Sequence, residues 1–300
     1  MPRFDVVGLG CCAWDYLAVV EEYPPIDTKT DTASFSEQGG GPTATALVTL
    51  ARLGAKTLFV GKVGDDVRGR LIVEQLEAEG VDVTQVRIEK DKSSRLSFSI
   101  VERKTGKRTI VSAVGSVSPL APEDLDRKTI TSGRILHVDG HQMEAAIHAA
   151  KWAREADVKV ILDAGSFWPG MEALVKLADY VVASETFALN FTSEGCVREA
   201  ARKLFHEGLA AVVVTTGDKG GFCVSDGGEF AYPTFRVEVV DTTGAGDVFH
   251  GAFDYGILRG WDLEEVVRFS SAVAALKCRE LGGRAGIPSL NQVRRFLTSA

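Results

Sequence analysis

Short, nearly unbroken apolar runs recur along the chain at residues 4–10, 57–61, 135–139, 158–163, 180–183 and 211–215. Strands covered on both faces read this way, because neither face alternates with polar positions. Helical stretches fill the intervals at 43–53, 67–79, 143–155 and 197–207. The alternation predicts an α/β chain with a doubly wound, mostly parallel sheet flanked by helices. Ligand sites in such a sheet fall at the carboxyl ends of the strands.

Two pairs of segments break this rhythm. Residues 16–20 with 30–35, and 96–102 with 108–112, read as short antiparallel pairs, the second joined by a turn at Lys104-Thr-Gly-Lys107. Hairpins inserted among βα units predict a small separate β-sheet, able to act as a lid that excludes water from a transfer reaction. The expected division is a core of residues 1–13, 38–92 and 117–300 and a lid of residues 14–37 and 93–116.

The densest chemistry lies at Asp241-Thr-Thr-Gly-Ala-Gly-Asp247, between a run at 237–240 that reads as a strand and a mostly apolar helix. A glycine-rich turn at a helix start gathers unpaired N–H groups at the positive end of the helix dipole, which suits an anion. Asp247 would repel that anion unless it has chemical work. The natural task is to take a proton from a hydroxyl as it attacks a phosphoryl group. Glycine turns and capping acids are also common structural devices. A triple-glycine turn, Gly39-Gly40-Gly41, precedes another helix and either admits a sugar close to the backbone or makes a tight connection. Gly64-Asp65-Asp66 precedes a third, where an acid would cap it.

Composition narrows the ligand. With 300 residues and 45% hydrophobic content, the chain can bury one large α/β core with a smaller excursion. A net charge of −7 argues against a nucleic-acid surface, so any polyanion is held locally. No basic leader and no long apolar stretch is present, so a cytoplasmic protein without a membrane span is expected. The five cysteines fit neither a zinc ribbon nor a disulfide framework and are expected to be reduced, with Cys11 and Cys12 in the core.

The segments GGGPTATALVTLARLGA, VGDDVRG, VVVTTGDKGG and DTTGAGDVFHGAF together resemble the ribokinase (PfkB) family of carbohydrate kinases, from end to end of the chain. The closing segment, residues 267–288, resembles in particular the bacterial branch that contains sulfofructose kinase. The resemblance implies a ribokinase-like α/β core with a β-sheet lid, and transfer of the γ-phosphoryl group of ATP, with Mg²⁺, to a sugar or nucleoside hydroxyl. By position, Asp247 resembles the catalytic base, and Gly244, Ala245 and Gly246 the anion hole. Asp241 and Thr243 match positions that hold a potassium ion in many relatives, Thr243 also being explicable as turn chemistry. Asp15 matches the acid that grips sugar hydroxyls, with Gly40 and Gly41 lining the same pocket. Lys29 matches a lysine used for anionic substrates, or is simply solvated. Thr216, Gly217, Lys219 and Gly220 resemble the loop beneath the ATP phosphates and ribose. Ala275 and Cys278 match a helix along the adenine slot, and an ordinary apolar face explains them equally well. His250 reads as a packed or solvent-facing residue rather than a ligand.

The chain also departs from the family pattern. Thr45 stands where many relatives carry a sugar-binding Asn, and it offers only a hydroxyl. Ser184-Glu185-Thr186-Phe187 replaces an Asn-x-x-Glu motif, leaving Glu185 to act on Mg²⁺ indirectly. The sulfofructose branch holds its sulfonate with an arginine where this chain has Asp139-Gly140-His141-Gln142. That loss argues against a sulfonated sugar. Asp139 and His141 suit neutral hydroxyls instead. A fructose-like or other neutral sugar therefore leads, ahead of a nucleoside, sulfofructose, or a role as a non-catalytic sugar sensor. Tyr16, Tyr23, Phe35 and Phe98 in the lid could pack its sheet or a homodimer contact.

Overall fold

The computed structural model describes residues 2–206 and 208–299. Glu207, the expected end of one helix, and residues 1 and 300, the expected outer limits of the core, lie outside the described residues. The chain starts in β1 (Val6–Leu9), leaves through β2 (Ala13–Val20) and β3 (Ser34–Gly40), and returns by α1 (Pro42–Arg52) to β4 (Thr57–Gly64). Helix α2 (Val67–Ala78) leads to β5 (Asp82–Glu89), after which β6 (Leu96–Glu102) and β7 (Arg108–Ala113) form a second excursion. Then follow α3 (Arg127–Ile130), β8 (Ile135–Val138), α4 (Met143–Glu155), β9 (Lys159–Ala164), α5 (Met171–Leu177) and β10 (Tyr180–Ser184). After α6 (Glu185–Thr192) and α7 (Val197–Leu204) come β11 (Ala211–Thr215), β12 (Gly221–Ser225) and β13 (Gly228–Tyr232). The chain closes with α8 (Ala245–Arg259), α9 (Leu263–Lys277) and α10 (Leu290–Ser299).

The large sheet has nine strands in the order β13-β12-β11-β10-β9-β8-β1-β4-β5, parallel except for the antiparallel edge β11-β12-β13. Its apolar runs are continuous because both faces are covered. Val7, Leu9, Leu58, Leu136 and Val138 turn toward one core with α4, while Val6, Phe59, Ile135 and Ile161 turn toward another with α1 and α8. Strand β1 pairs with β4 on one side and β8 on the other, so the winding direction reverses beside it. The crevice at such a reversal, outside the carboxyl ends of the strands, is where open α/β sheets bind ligands. Asp66 caps α2 as expected, its Oδ1 accepting the N–H of Gly69 at 2.9 Å.

The two excursions unite in a separate four-stranded sheet, β3-β2-β6-β7, with β2 and β6 parallel at its centre. The return strand begins at Ser34 rather than at residue 30, and Gly39 and Gly40 belong to it rather than to a turn. Glycine carries little strand signal, so these residues read as a loop. Residues 237–240 are not a strand. Val239 and Val240 are exposed, and that segment seats the β6–β7 hairpin, whose Gly106 lies against both. The edge strands β5 and β13 gave no apolar run because edge positions are half solvated. Cys11, Cys12, Cys223 and Cys278 are buried free thiols, and Cys196 is exposed.

Candidate active site

Gly244 caps the amino end of α8 in a left-handed conformation, φ 73°, and lies so close to the Gly283 backbone that any side chain would collide. Both constraints require glycine. The turn that results opens α8 at Ala245, whose N–H bonds the Thr242 carbonyl at 3.2 Å. Asp247 follows in the first helical turn and is half-buried. Burial, and then the carboxylate of Asp163, push its carboxyl up to about 6, against the pull of His250 and Arg108. A carboxylate tuned near neutrality is a better proton acceptor than an ordinary one.

The support behind Asp247 comes from the centre of the sheet. Asp163, at the end of β9, accepts the N–H of Gly165 at 2.9 Å on Oδ1, and Nε2 of His250 lies 3.3 Å from the same oxygen. Oδ2 of Asp163 is buried without a partner. His250 is buried, and its ring is fixed between the carbonyl oxygens of Gly246 at 2.6 Å and Val182 at 3.1 Å. Deeper still, His137 Nδ1 meets Asp254 Oδ2 at 2.8 Å, joining β8 to α8. Burial works to lower the His137 pKa, but Asp254 outweighs it and pushes the imidazole up to about 9.

The floor of the glycine turn is tied to the end of α9. Asp241 is fully buried; its Oδ1 accepts the N–H and hydroxyl of Thr243 at 2.8 and 2.7 Å, and its Oδ2 accepts the N–H of Gly282 at 2.8 Å. The carbonyl of Cys278 accepts from the N–H of Val240 at 2.8 Å and of Asp241 at 3.2 Å. Lys277, also fully buried, donates from Nζ to the Asp241 carbonyl at 2.9 Å.

A second group gathers where β1, β2, β3 and the start of α1 meet. Asp15 on β2 is buried and accepts the Ser97 hydroxyl at 2.6 Å on Oδ1, while Oδ2 occupies the space a side chain at Gly40 would fill. Burial raises its pKa against Ser97, Arg284 and Arg95. The Thr45 hydroxyl accepts from Nε of Arg284 at 3.3 Å, and Nη2 of Arg284 donates to the Gly40 carbonyl at 3.0 Å. The Arg284 N–H reaches Gln38 Oε1 at 2.8 Å. Burial lowers the Arg284 pKa to about 10, with Asp15 opposing, so the guanidinium stays charged at neutral pH. Gly41 is the amino cap of α1.

Asp139, just beyond β8, is engaged on both oxygens. Oδ2 accepts from the N–H of Cys11 at 2.7 Å and the hydroxyl of Thr43 at 2.8 Å, and Oδ1 accepts the N–H of His141 at 3.0 Å. Burial works to raise its carboxyl, but His141 and these donors hold it well below the usual range. The carboxylate therefore ties β1, α1 and the β8 loop together rather than facing a ligand with open lone pairs. The His141 ring packs against Trp168 at 4.8 Å, tilted by 56°. Lys29 is exposed in the connection between β2 and β3.

Along the sheet edge, the carboxyl ends carry Thr216 after β11, Glu185 after β10, Asp163 at β9, Asp139 after β8 and Cys11 after β1. In the loop from β11 to β12, the Thr216 N–H bonds the Gly220 carbonyl at 2.8 Å, and Gly217 and Lys219 lie between them with Lys219 exposed. Ala275 and Cys278 are buried at the end of α9. A family model for the pfkB family carbohydrate kinases matches residues 4–290. The chain belongs to that family of carbohydrate kinases.

The sequence is 29% identical to the 5-dehydro-2-deoxygluconokinase of Shouchella clausii, covering 98% of this chain and 96% of that protein. It is 28% identical to the ribokinase of Bacillus subtilis, over 98% and 99% of the two chains. The fold matches that of Arabidopsis thaliana ribokinase, solved with ribose and ATP, with a TM-score of 0.84 at 25% identity over 98% of each chain. This kinase is thus a phosphotransferase with an alcohol group as acceptor, and it carries out ATP-dependent phosphorylation of sugars. No helix of the described residues is long and apolar enough to cross a membrane.

Three residues of this buried polar cluster escaped sequence reasoning: Asp163, Lys277 and Arg284. Each carried a signal, since Asp163 ends an apolar strand, Lys277 interrupts an apolar helix face, and Arg284 sits among glycines. Phe187 packs with Phe191 at 5.1 Å and is core. A cleft of about 550 Å³ lined by Arg3, Arg134 and Lys159 opens at the amino ends of β8 and β9, away from all of this chemistry.

Proposed function

We propose that this kinase phosphorylates a small neutral sugar, a fructose-like one leading, with Asp247 as the base. As the sugar oxygen bonds to the γ-phosphorus of ATP, its proton passes to Asp247. The bond from that phosphorus to the β,γ-bridging oxygen breaks, and ADP leaves with the electron pair. The N–H groups of Gly244 and Gly246, joined by that of Ala245 as it leaves the Thr242 carbonyl, face the transferring oxygens and stabilise their charge. The observation that carries this reading is the Asp247 carboxyl, pushed up to about 6 in the first turn of α8 beside that glycine turn.

Asp15, braced by Ser97, leaves Oδ2 for sugar hydroxyls, with Gly40, Gly41 and Thr45 beside it. His141, packed against Trp168, adds a donor, and Asp139 braces the wall. Thr216, Gly217, Lys219 and Gly220 cradle the nucleotide, with Ala275 and Cys278 along the base. The four-stranded sheet closes as a lid, residues 14–37 and 93–116, and Lys29 lies at its margin. Magnesium is held by one or two carboxylates plus substrate phosphates rather than by a protein cage. The donor set suits that role: Glu185 is half-buried at the start of α6 with no side-chain partner among the described residues. When bound with ATP, the ion neutralises phosphate charge. A potassium ion on Asp241 and Thr243 does not fit, since protein donors already engage those oxygens.

A second reading, a sugar acid, draws on Arg95. Its guanidinium makes no side-chain hydrogen bond among the described residues, yet it acts electrostatically on Asp15 and His141. The name of the Shouchella relative, a gluconokinase, points the same way. Coupled ADP release over ketoses, pentoses, sugar acids and adenosine tests both. A neutral sugar is expected to exceed the others in kcat/KM by at least about tenfold. Preference for a sugar acid favours the second reading, and preference for adenosine overturns both.

A further inference from the structure

Lys277 is the last residue of α9, and its side chain has no exposed surface. Placing an ammonium there is unfavourable unless it holds something in return. What it holds is the carbonyl of Asp241, the first residue of the phosphate loop, at 2.9 Å. The same short segment grips that loop at further points. The Cys278 carbonyl takes the N–H of Asp241, the Gly282 N–H meets Asp241 Oδ2 at 2.8 Å, and Gly283 packs on Gly244. A monovalent cation beside this turn would need the Asp241 oxygens. Both carboxylate oxygens and the carbonyl already have protein donors.

We propose that the Lys277 ammonium is the built-in monovalent cation of this kinase. It holds the Asp241 carbonyl, and with it the turn that aims the Gly244–Gly246 N–H groups, so that phosphoryl transfer needs no K⁺. Lys277 is a positioning residue: it reaches neither sugar nor ATP and acts through the peptide units of the loop. Burial lowers its pKa, and the Asp241 carboxylate opposes that shift, favouring the charged form. The inference rests on the kinase reading above.

The test compares potassium chloride with choline chloride at equal ionic strength. Turnover of the unmodified enzyme should differ by less than about twofold, whereas activation by K⁺ of about tenfold or more overturns the proposal. Lys277→Met removes the ammonium and keeps most of the stem. In choline its kcat should fall at least about tenfold with sugar KM little changed, and K⁺ or NH₄⁺ but not Li⁺ should restore it. A variant that works equally well in choline, or that neither K⁺ nor NH₄⁺ rescues, contradicts the assignment. Thermal unfolding supplies a readout independent of activity. The unmodified protein should melt at the same temperature in both salts, while Lys277→Met gains stability in K⁺. If Lys277→Met does not fold, the unmodified enzyme still decides, and a rise in its melting temperature specific to K⁺ refutes the idea. Absence of turnover on every sugar in both salts would sink the substrate reading instead, leaving the melting comparison to judge Lys277.

Discussion

Asp247 differs from an ordinary surface aspartate through its surroundings: burial and Asp163 raise its pKa, while His250 and Arg108 oppose them. A base must be unprotonated to act, so activity is present above its pKa and lost as pH falls through it. The acidic limb of log kcat/KM should therefore bend near pH 6 with unit slope, measured by initial rates from pH 5 to 8. A limb centred near the ordinary aspartate value of about 4 would refute that tuning. Arg284 makes a second prediction at this scale. Arg284→Ala strips donors from Gly40, Thr45 and Gln75, so it should destabilise by at least about 2 kcal/mol in urea unfolding and raise sugar KM. Asp247 was legible because its heptapeptide is contiguous and its residue types are unusual together. Asp163, Lys277 and Arg284 were not, because each acquires its role only when distant segments meet, Thr45 and Arg284 being one example.

At the scale of elements, the β6–β7 hairpin joins the small sheet to the glycine turn before α8. Arg108 Nη1 donates to the Thr242 hydroxyl at 2.9 Å, and that hydroxyl reaches the Gly106 carbonyl at 3.4 Å. Because Arg108 lowers the Asp247 pKa, Arg108→Ala should move the acidic limb of the rate profile to higher pH and increase ATP hydrolysis relative to sugar transfer. An unmoved limb would mean the hairpin does not reach the base. The β8–α8 clasp, His137 with Asp254, titrates in the other direction. The folded imidazole sits at about 9 against an ordinary 6.5, so its stabilisation is full below about 6.5 and lost as pH rises through 9. Melting temperature should fall between pH 7 and 10, and less so in a His137→Leu, Asp254→Leu double variant. Parallel strands and their helices were legible from unbroken apolar runs. Strand β3 ran on through Gly39 and Gly40 and residues 237–240 proved irregular, because glycines hide strand character and exposed valines imitate it.

For the whole molecule, the reversal of winding beside β1 sets the cluster around Asp15 and Arg284 next to the glycine turn, and the line of strand ends extends from it toward Thr216. The architecture was legible because alternation of elements constrains a parallel sheet strongly. The union of two hairpins into one small sheet was legible from their insertion among βα units, whereas the parallel pairing of β2 with β6, across a long stretch of sequence, was not. That sheet exposes Phe35 and Phe98, stacked about Tyr16 at 6.3 and 5.3 Å, an apolar face able to pair two copies. Sedimentation should reveal a dimer that Phe98→Glu converts to monomer. A concentration-independent monomer would remove the lid as an interface. The account as a whole stands on Asp247, and the most direct measurement is the turnover of Asp247→Asn beside its affinity for ATP. Turnover should fall about 10²–10⁴-fold with ATP affinity within about twofold of the unmodified enzyme. Near-normal turnover in a folded Asp247→Asn protein would contradict proton transfer to this residue.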